Sequence, residues 1–137
     1  MIGLNDSLLR EPLLADRDAP VRVRVLLLDP DADTAARRAV EIGESPESFS
    51  AGIRLALARL RDLANEPAVD LAVATYETLP TWRTIRLDDV LYLAAFADDA
   101  EGHHSGLYKL TATPTGVLHA GFLRQFEDQW VTATRAV

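Results

Sequence analysis

The chain contains no cysteine. That absence removes disulfide frameworks, thiolate metal sites and cysteine nucleophiles together, and it makes a reducing interior the expected compartment. Long apolar runs are missing too. The longest, VLLL and VLYLAAF, fall far short of a membrane span. The N-terminus, MIGLNDSLLREPLLADRD, carries acids where a secretory signal needs a basic start, and it has no long apolar segment before a small-residue cleavage site. A soluble, cytoplasmic protein is the expectation. Positive charge is scarce: 14 lysines and arginines face 21 aspartates and glutamates, a formal net charge of −7. Such a balance argues against binding nucleic acid through the overall field. Arg37 and Arg38 alone do not make a basic recognition helix.

What remains is an ordinary globular composition, 48% hydrophobic and 26% charged in 137 residues, which fits one domain with a real core. Residues 2–16 carry a loose helical stripe of Ile2, Leu4, Leu8, Leu9, Leu13 and Leu14, interrupted by Pro12, and 1–18 reads as a helical lead-in. VRVRVLLLD, residues 21–29, alternates and then becomes wholly apolar, as strands of parallel sheets do where they run into a buried centre. Asp29-Pro30-Asp31 ends it, with Asp31 or Asp33 available to cap a helix over 33–42. That helix places Ala35, Ala36, Ala39 and Val40 on one face and Arg37, Arg38 and Glu41 on the other, and Gly43 stops it. A second helix follows on Phe49, Ile53, Leu57, Leu60 and Ala64. VDLAVATY, residues 69–76, is another strand, so strand, two helices and strand call for a parallel pair.

The order then changes. WRTIRL and VLYLAAF lie too close together for an intervening helix, so Asp88-Asp89 falls at an antiparallel hairpin turn. DDAEGHHSG is a polar loop, and LYKLTAT is a last strand before Pro114, with Leu107 and Leu110 expected to help fill the core. From about Thr115 a final helix aligns Leu118, Phe122, Phe126 and Trp130 at intervals of four. The fold class is α/β: one domain over 1–137, with a mixed sheet containing a parallel β-α-α-β unit, an antiparallel hairpin and flanking helices.

The stretch TWRTIRLDD carries the first candidate chemistry. Phospholipase D-type enzymes have HxKxxxxD where a strand turns into a hairpin. With Asp88 last, the frame here reads Thr81-x-Arg83-x-x-x-x-Asp88. RVRVLLLDPDADTAARRAVE, the hairpin with xRxDD and the C-terminal GxLHxxFxxxFEDQW together resemble a group of actinobacterial proteins. In these a catalytically incomplete phospholipase D-like domain often follows a helix-turn-helix DNA-binding domain. The resemblance runs over most of residues 21–134. It implies a phospholipase D-like half-domain in a regulatory context. It also implies that Arg83 stands for the lysine that neutralises phosphate, and Asp88 for the motif aspartate. Thr81 stands where the nucleophilic histidine belongs and cannot form a phosphoramidate, so this motif does not carry the family's chemistry. Arg83 keeps the charge and can hold a phosphate or carboxylate bidentately. Complete enzymes of that family build one site from two facing halves, so a lone half is expected to form a homodimer.

EGHHSGLYKL, residues 101–110, is the second candidate. Gly102 and Gly106 allow close backbone approach, and His104, Ser105 and Lys109 supply polar and charged groups. The expectation is a non-catalytic module that binds a small anionic or phosphate-containing ligand through Arg83, Asp88, His104, Ser105 and Lys109. It needs no cofactor, metal or membrane, and it makes no direct contact with nucleic acid. The alternative is a phosphoryl- or acyl-transfer enzyme using His103 or His104 with Lys109, which requires those groups and Arg83 to converge. Asp98, Asp99, Glu101, His103 and His104 are dense enough to suggest a metal, but a loop this acidic reads as solvated. His119 packs or caps beside the last helix. Trp82 and Trp130 belong to the core or an interface. Because Trp82 alternates with Arg83, one faces away from the other, and Trp82 then needs a covering helix or subunit.

Overall fold

The computed structural model describes residues 19–96 and 106–137. The helical lead-in and the His103–His104 loop, with His104 and Ser105, lie outside the described residues. The elements are β1 (Val21–Leu28), α1 (Asp33–Glu41), α2 (Pro46–Leu63), β2 (Val69–Tyr76), β3 (Trp82–Leu87), β4 (Val90–Ala95), β5 (Leu107–Thr111), α3 (Val117–Thr132) and β6 (Thr134–Arg135).

The strands form two sheets, where the sequence suggests one. The first has the order β1-β2-β6, and the second has the order β3-β4-β5. β1 and β2 are parallel over eight residues, from Val21 opposite Val69 to Leu28 opposite Tyr76. β6 adds antiparallel to β2 and makes this sheet mixed. The hairpin does not extend the parallel pair; β3, β4 and β5 are a separate antiparallel meander. The alternation pattern names strands and their facing but carries no information on which edges meet. β6 has only two residues, too few for any period to show.

Alternation along β1 and β2 splits the first sheet into two faces. Val23, Val25, Leu27, Val69, Leu71 and Val73 form one core with Leu57, Leu60 and Leu63 of α2, joined by Ile53, Ala56, Ala64, Ala136 and Val137. The stripe on α2 runs as its spacing requires. Its start is defined by Pro46 at the first turn and by Ser45, whose Oγ accepts from the Ser48 amide at 3.2 Å. Each such buried leucine contributes about 1.5–3 kcal/mol relative to an exposed one.

α1 departs from its sequence reading. Its buried residues are Ala35, Arg38 and Ala39, while Val40 is exposed. The helix is turned so that the i, i+3, i+4 set containing Arg38 faces inward. Arg38, only 4% exposed, donates to Glu41 at 3.1 Å and lies 4.9 Å over the Phe96 ring. An apolar ring that accepts a guanidinium lets an arginine occupy a place the pattern gives to valine. The cap also differs: Ala32 is the N-cap and makes no side-chain bond. Asp29 Oδ1 instead accepts from the Asp31 amide at 2.8 Å, bracing the turn that leads from β1 into the helix. The end of α1 is as read. Gly43 has φ 73, its amide donates to the Val40 carbonyl, and the Glu44 amide donates to that of Ala39. This is a Schellman motif around a left-handed glycine.

α3 touches both sheets. Arg24 of β1 donates to both Glu127 carboxylate oxygens, at 2.8 and 2.5 Å, and its guanidinium lies 5.1 and 5.3 Å from the Phe126 and Trp130 rings. Towards the other sheet, Phe122 meets Trp82 edge-to-face at 5.4 Å. His119 Nε2–H donates to the Asp89 carbonyl at 2.9 Å. Trp82 thus has its covering helix.

Candidate functional site

The pairing register of the meander decides which candidate residues share a surface. Residues directly opposite in antiparallel strands point to the same face. Arg83 is opposite Ala94, which is opposite Leu107; Ile85 is opposite Tyr92, which is opposite Lys109. Leu87, Val90 and Thr111 complete that face. The other face carries Trp82, Thr84, Arg86, Leu91, Leu93 and Leu110. It is the inner one: Leu91 and Leu93 are buried, and Trp82 meets α3.

Arg83, Tyr92 and Lys109 therefore stand on the outer face with no acidic residue among its described members. Two strand spacings of roughly 4.8 Å and one two-residue step of roughly 7 Å put the Cα atoms of Arg83 and Lys109 about 12 Å apart. Both side chains are long enough to reach an anion between them, and Ala94, which separates them across the sheet, is itself buried, 3% exposed. Among the described residues neither cation has a hydrogen-bonded or ion-paired partner. Ile85, Leu87 and Leu107 are exposed on the same face, Leu107 at 67%, so Leu107 does not serve the core as the sequence suggests.

Asp88 lies elsewhere. It is the first residue of the two-residue turn between Leu87 and Val90, and its φ is 51, in the left-handed region. Aspartate adopts that conformation more readily than most residues. Arg86 Nε donates to the Asp88 carbonyl at 2.6 Å, and His119 holds the next carbonyl. Five residue steps along the strand take Arg83 to Asp88, about 17 Å, too far for the side chains to meet. Thr81 supplies the carbonyl that accepts from the Phe96 amide, which continues the β3–β4 ladder by one bond. Arg86, on the inner face, is close enough to Glu127 to lower its pKa.

Two open clefts flank this arrangement. One, of about 490 Å³, lies where β5 leads into α3; Lys109, Thr111, Thr113, Thr115, Gly116 and His119 are among its walls. Lys109 thus belongs to both the outer face and this cleft. Gly116 sits close to Thr113 there: a Cβ on it would lie 2.2 Å from Thr113 Oγ1, so a larger residue would force that hydroxyl to turn. The other cleft, about 410 Å³, sits beyond the carboxyl ends of β1 and β2, where parallel sheets commonly bind ligands. Its walls are Asp29, Asp31, Ala32, Asp33, Thr34 and Glu77, and Arg54 of α2 is ion-paired to Asp31. So acidic a lining repels anions. Among the described residues no group of three or more histidines, aspartates or glutamates is arranged to hold a metal ion. The dense Asp98–His104 set lies outside the described residues.

The sequence singles out Arg83 and Lys109 but does not put them together; that follows from the β4 register, which links β3 to β5. It does not single out Tyr92 at all. A tyrosine in VLYLAAF reads as one more apolar strand residue until its partners are known. No helix among the described residues is long and apolar enough to cross a membrane. Among the described residues the fold is mixed α/β with two small sheets and three helices. Comparison with protein-family models, curated proteins and solved structures finds no match to the chain.

Proposed function

We propose that this chain is a non-catalytic binding module, a degenerate phospholipase D-like half-domain that takes a small anionic or phosphate-containing ligand in a regulatory context. The observation that carries this reading is the shared outer face of the meander, where Arg83 and Lys109 flank Tyr92 with no carboxylate among the described residues of that face. A phosphate there meets one planar bidentate donor and one point charge, and Ile85 and Leu107 offer surface to the ligand's uncharged part. The absence of a nucleophile at Thr81 supports binding over turnover. His104 and Ser105 are proposed as further ligand-binding residues. Asp88 acts through the turn it forms.

The test is a thermal-shift screen of nucleotides, phosphosugars and phospholipid head groups on wild type, Arg83→Ala, Lys109→Ala and Asp88→Asn. A ligand shift lost in the first two variants and kept in Asp88→Asn is expected. A shift that survives both Arg83→Ala and Lys109→Ala would remove the site. Hydrolysis of a generic phosphodiester that disappears in His104→Ala would replace this reading with an enzymatic one.

A further inference from the structure

The described structure leaves one edge of the parallel sheet open. The Val21 amide donates to the Ala68 carbonyl and the Asp29 amide to that of Tyr76, so the odd-numbered residues of β1 bond to β2. By alternation, Arg22, Arg24, Leu26 and Leu28 direct their amides and carbonyls away from β2. Among the described residues no strand pairs with that edge. The strand is long and regular, eight residues paired to β2 without interruption, and contains no proline. Monomers usually blunt such an edge. Arg24, which would otherwise guard it with charge, is already neutralised by Glu127. The apolar residues of β1 are also short of cover. Val23 and Val25 are half-buried, whereas their partners Leu71 and Val73 are 9% and 0% exposed.

We infer that the missing neighbour is the same strand of a second copy, paired antiparallel and centred on Val25, so that two three-stranded sheets join into one of six strands. The charge pattern of the strand selects this arrangement. Arg22, highly exposed and only loosely paired with Asp70 at 3.6 Å, stands at its start, while Asp29 and Asp33 stand beyond its end. Antiparallel self-pairing brings each basic end to the other copy's acidic end; parallel pairing would set like against like. The register centred on Val25 uses the whole strand, with Arg24 opposite Leu26 and Arg22 opposite Leu28 of the second copy. Centring on Arg24 instead would oppose two arginines. Val23 then meets Leu27, and the two cores beneath the α2 helices become continuous. This edge belongs to the other sheet from Arg83 and Lys109, so dimerisation and anion binding can each fail without the other.

The chain's lack of cysteine gives a clean test. The two Val25 residues would form a non-hydrogen-bonded pair with Cα atoms about 4.5 Å apart, within reach of a disulfide. Under mild oxidation Val25→Cys is expected to cross-link between chains, and Leu107→Cys, exposed on the other sheet, is not. In sedimentation the wild type is expected to be a dimer. Leu26→Pro, whose lost amide points away from β2, is expected to be a monomer with unchanged far-ultraviolet circular dichroism. A wild type that stays monomeric at every concentration overturns the inference, as does a folded Leu26→Pro that still dimerises. If that variant does not fold, the cross-link decides: no disulfide between Val25→Cys chains overturns the inference.

Discussion

Arg38 shows how much one residue can change the reading of an element. The helical pattern assigns it to solvent, yet it is the one charged residue in the described core, held between Glu41 and the Phe96 ring. Removing it leaves the half-buried Glu41 with only Arg37, at 3.3 Å, and uncovers the ring. Breaking a buried charged pair of this kind costs about 3–5 kcal/mol. Arg38→Met is therefore expected to lower the urea midpoint strongly, and Arg38→Lys to recover only part of the loss, since an ammonium cannot stack as the planar guanidinium does. Equal stability of Arg38→Met and wild type would show that the contact is incidental. Val40 makes the complementary point: an aliphatic residue in a good stripe is left exposed because the helix is oriented by what it buries best.

At the scale of elements, α3 is held to the parallel sheet by a side-chain latch. The Arg24 guanidinium beside Glu127 keeps that carboxyl below its ordinary value, and Glu127 in turn raises Arg24. A carboxylate whose folded pKa is depressed contributes stability above its unfolded value, near 4.5, and loses it as pH falls through the folded value. Both groups are substantially exposed, so the contribution is about 1 kcal/mol or less and weakens with salt. Trp130, stacked 5.8 Å from Phe126 under the same guanidinium, is the reporter. Its fluorescence is expected to change on acidification below about pH 4.5, and Glu127→Gln is expected to abolish that dependence. A wild-type acid transition identical to that of Glu127→Gln would mean the latch does not hold the helix.

For the molecule as a whole, alkaline pH probes how firmly the parallel sheet is closed. Burial raises the Tyr76 hydroxyl from 10.0 to about 12. With the folded value above the unfolded one, stability is intact below pH 10 and declines as pH rises from there to about 12, because the unfolded chain releases the proton first. The loss is on the order of 2–3 kcal/mol. Denaturant melts across that range should show it, and Tyr76→Phe should flatten this part of the profile. An unchanged profile in Tyr76→Phe would place the hydroxyl in water.

The sequence by itself determined the local elements, because their causes are local. Two-residue alternation in VRVRVLLL, the four-residue stripe from Phe49 to Leu60, the left-handed Gly43 and the Asp88-Asp89 turn all act over a few neighbouring residues. It also singled out Arg83 and Lys109 as candidate binding residues. Tertiary structure decided the rest. Pairing through β4 set Arg83 and Lys109 on one face and moved Asp88 to the far end of the strand. A ring brought in by β4 made a buried place for Arg38, and the split into two sheets left β1 at an edge among the described strands. Each of these depends on which backbone hydrogen bonds meet across long stretches of chain, and no periodicity along a single segment encodes that choice.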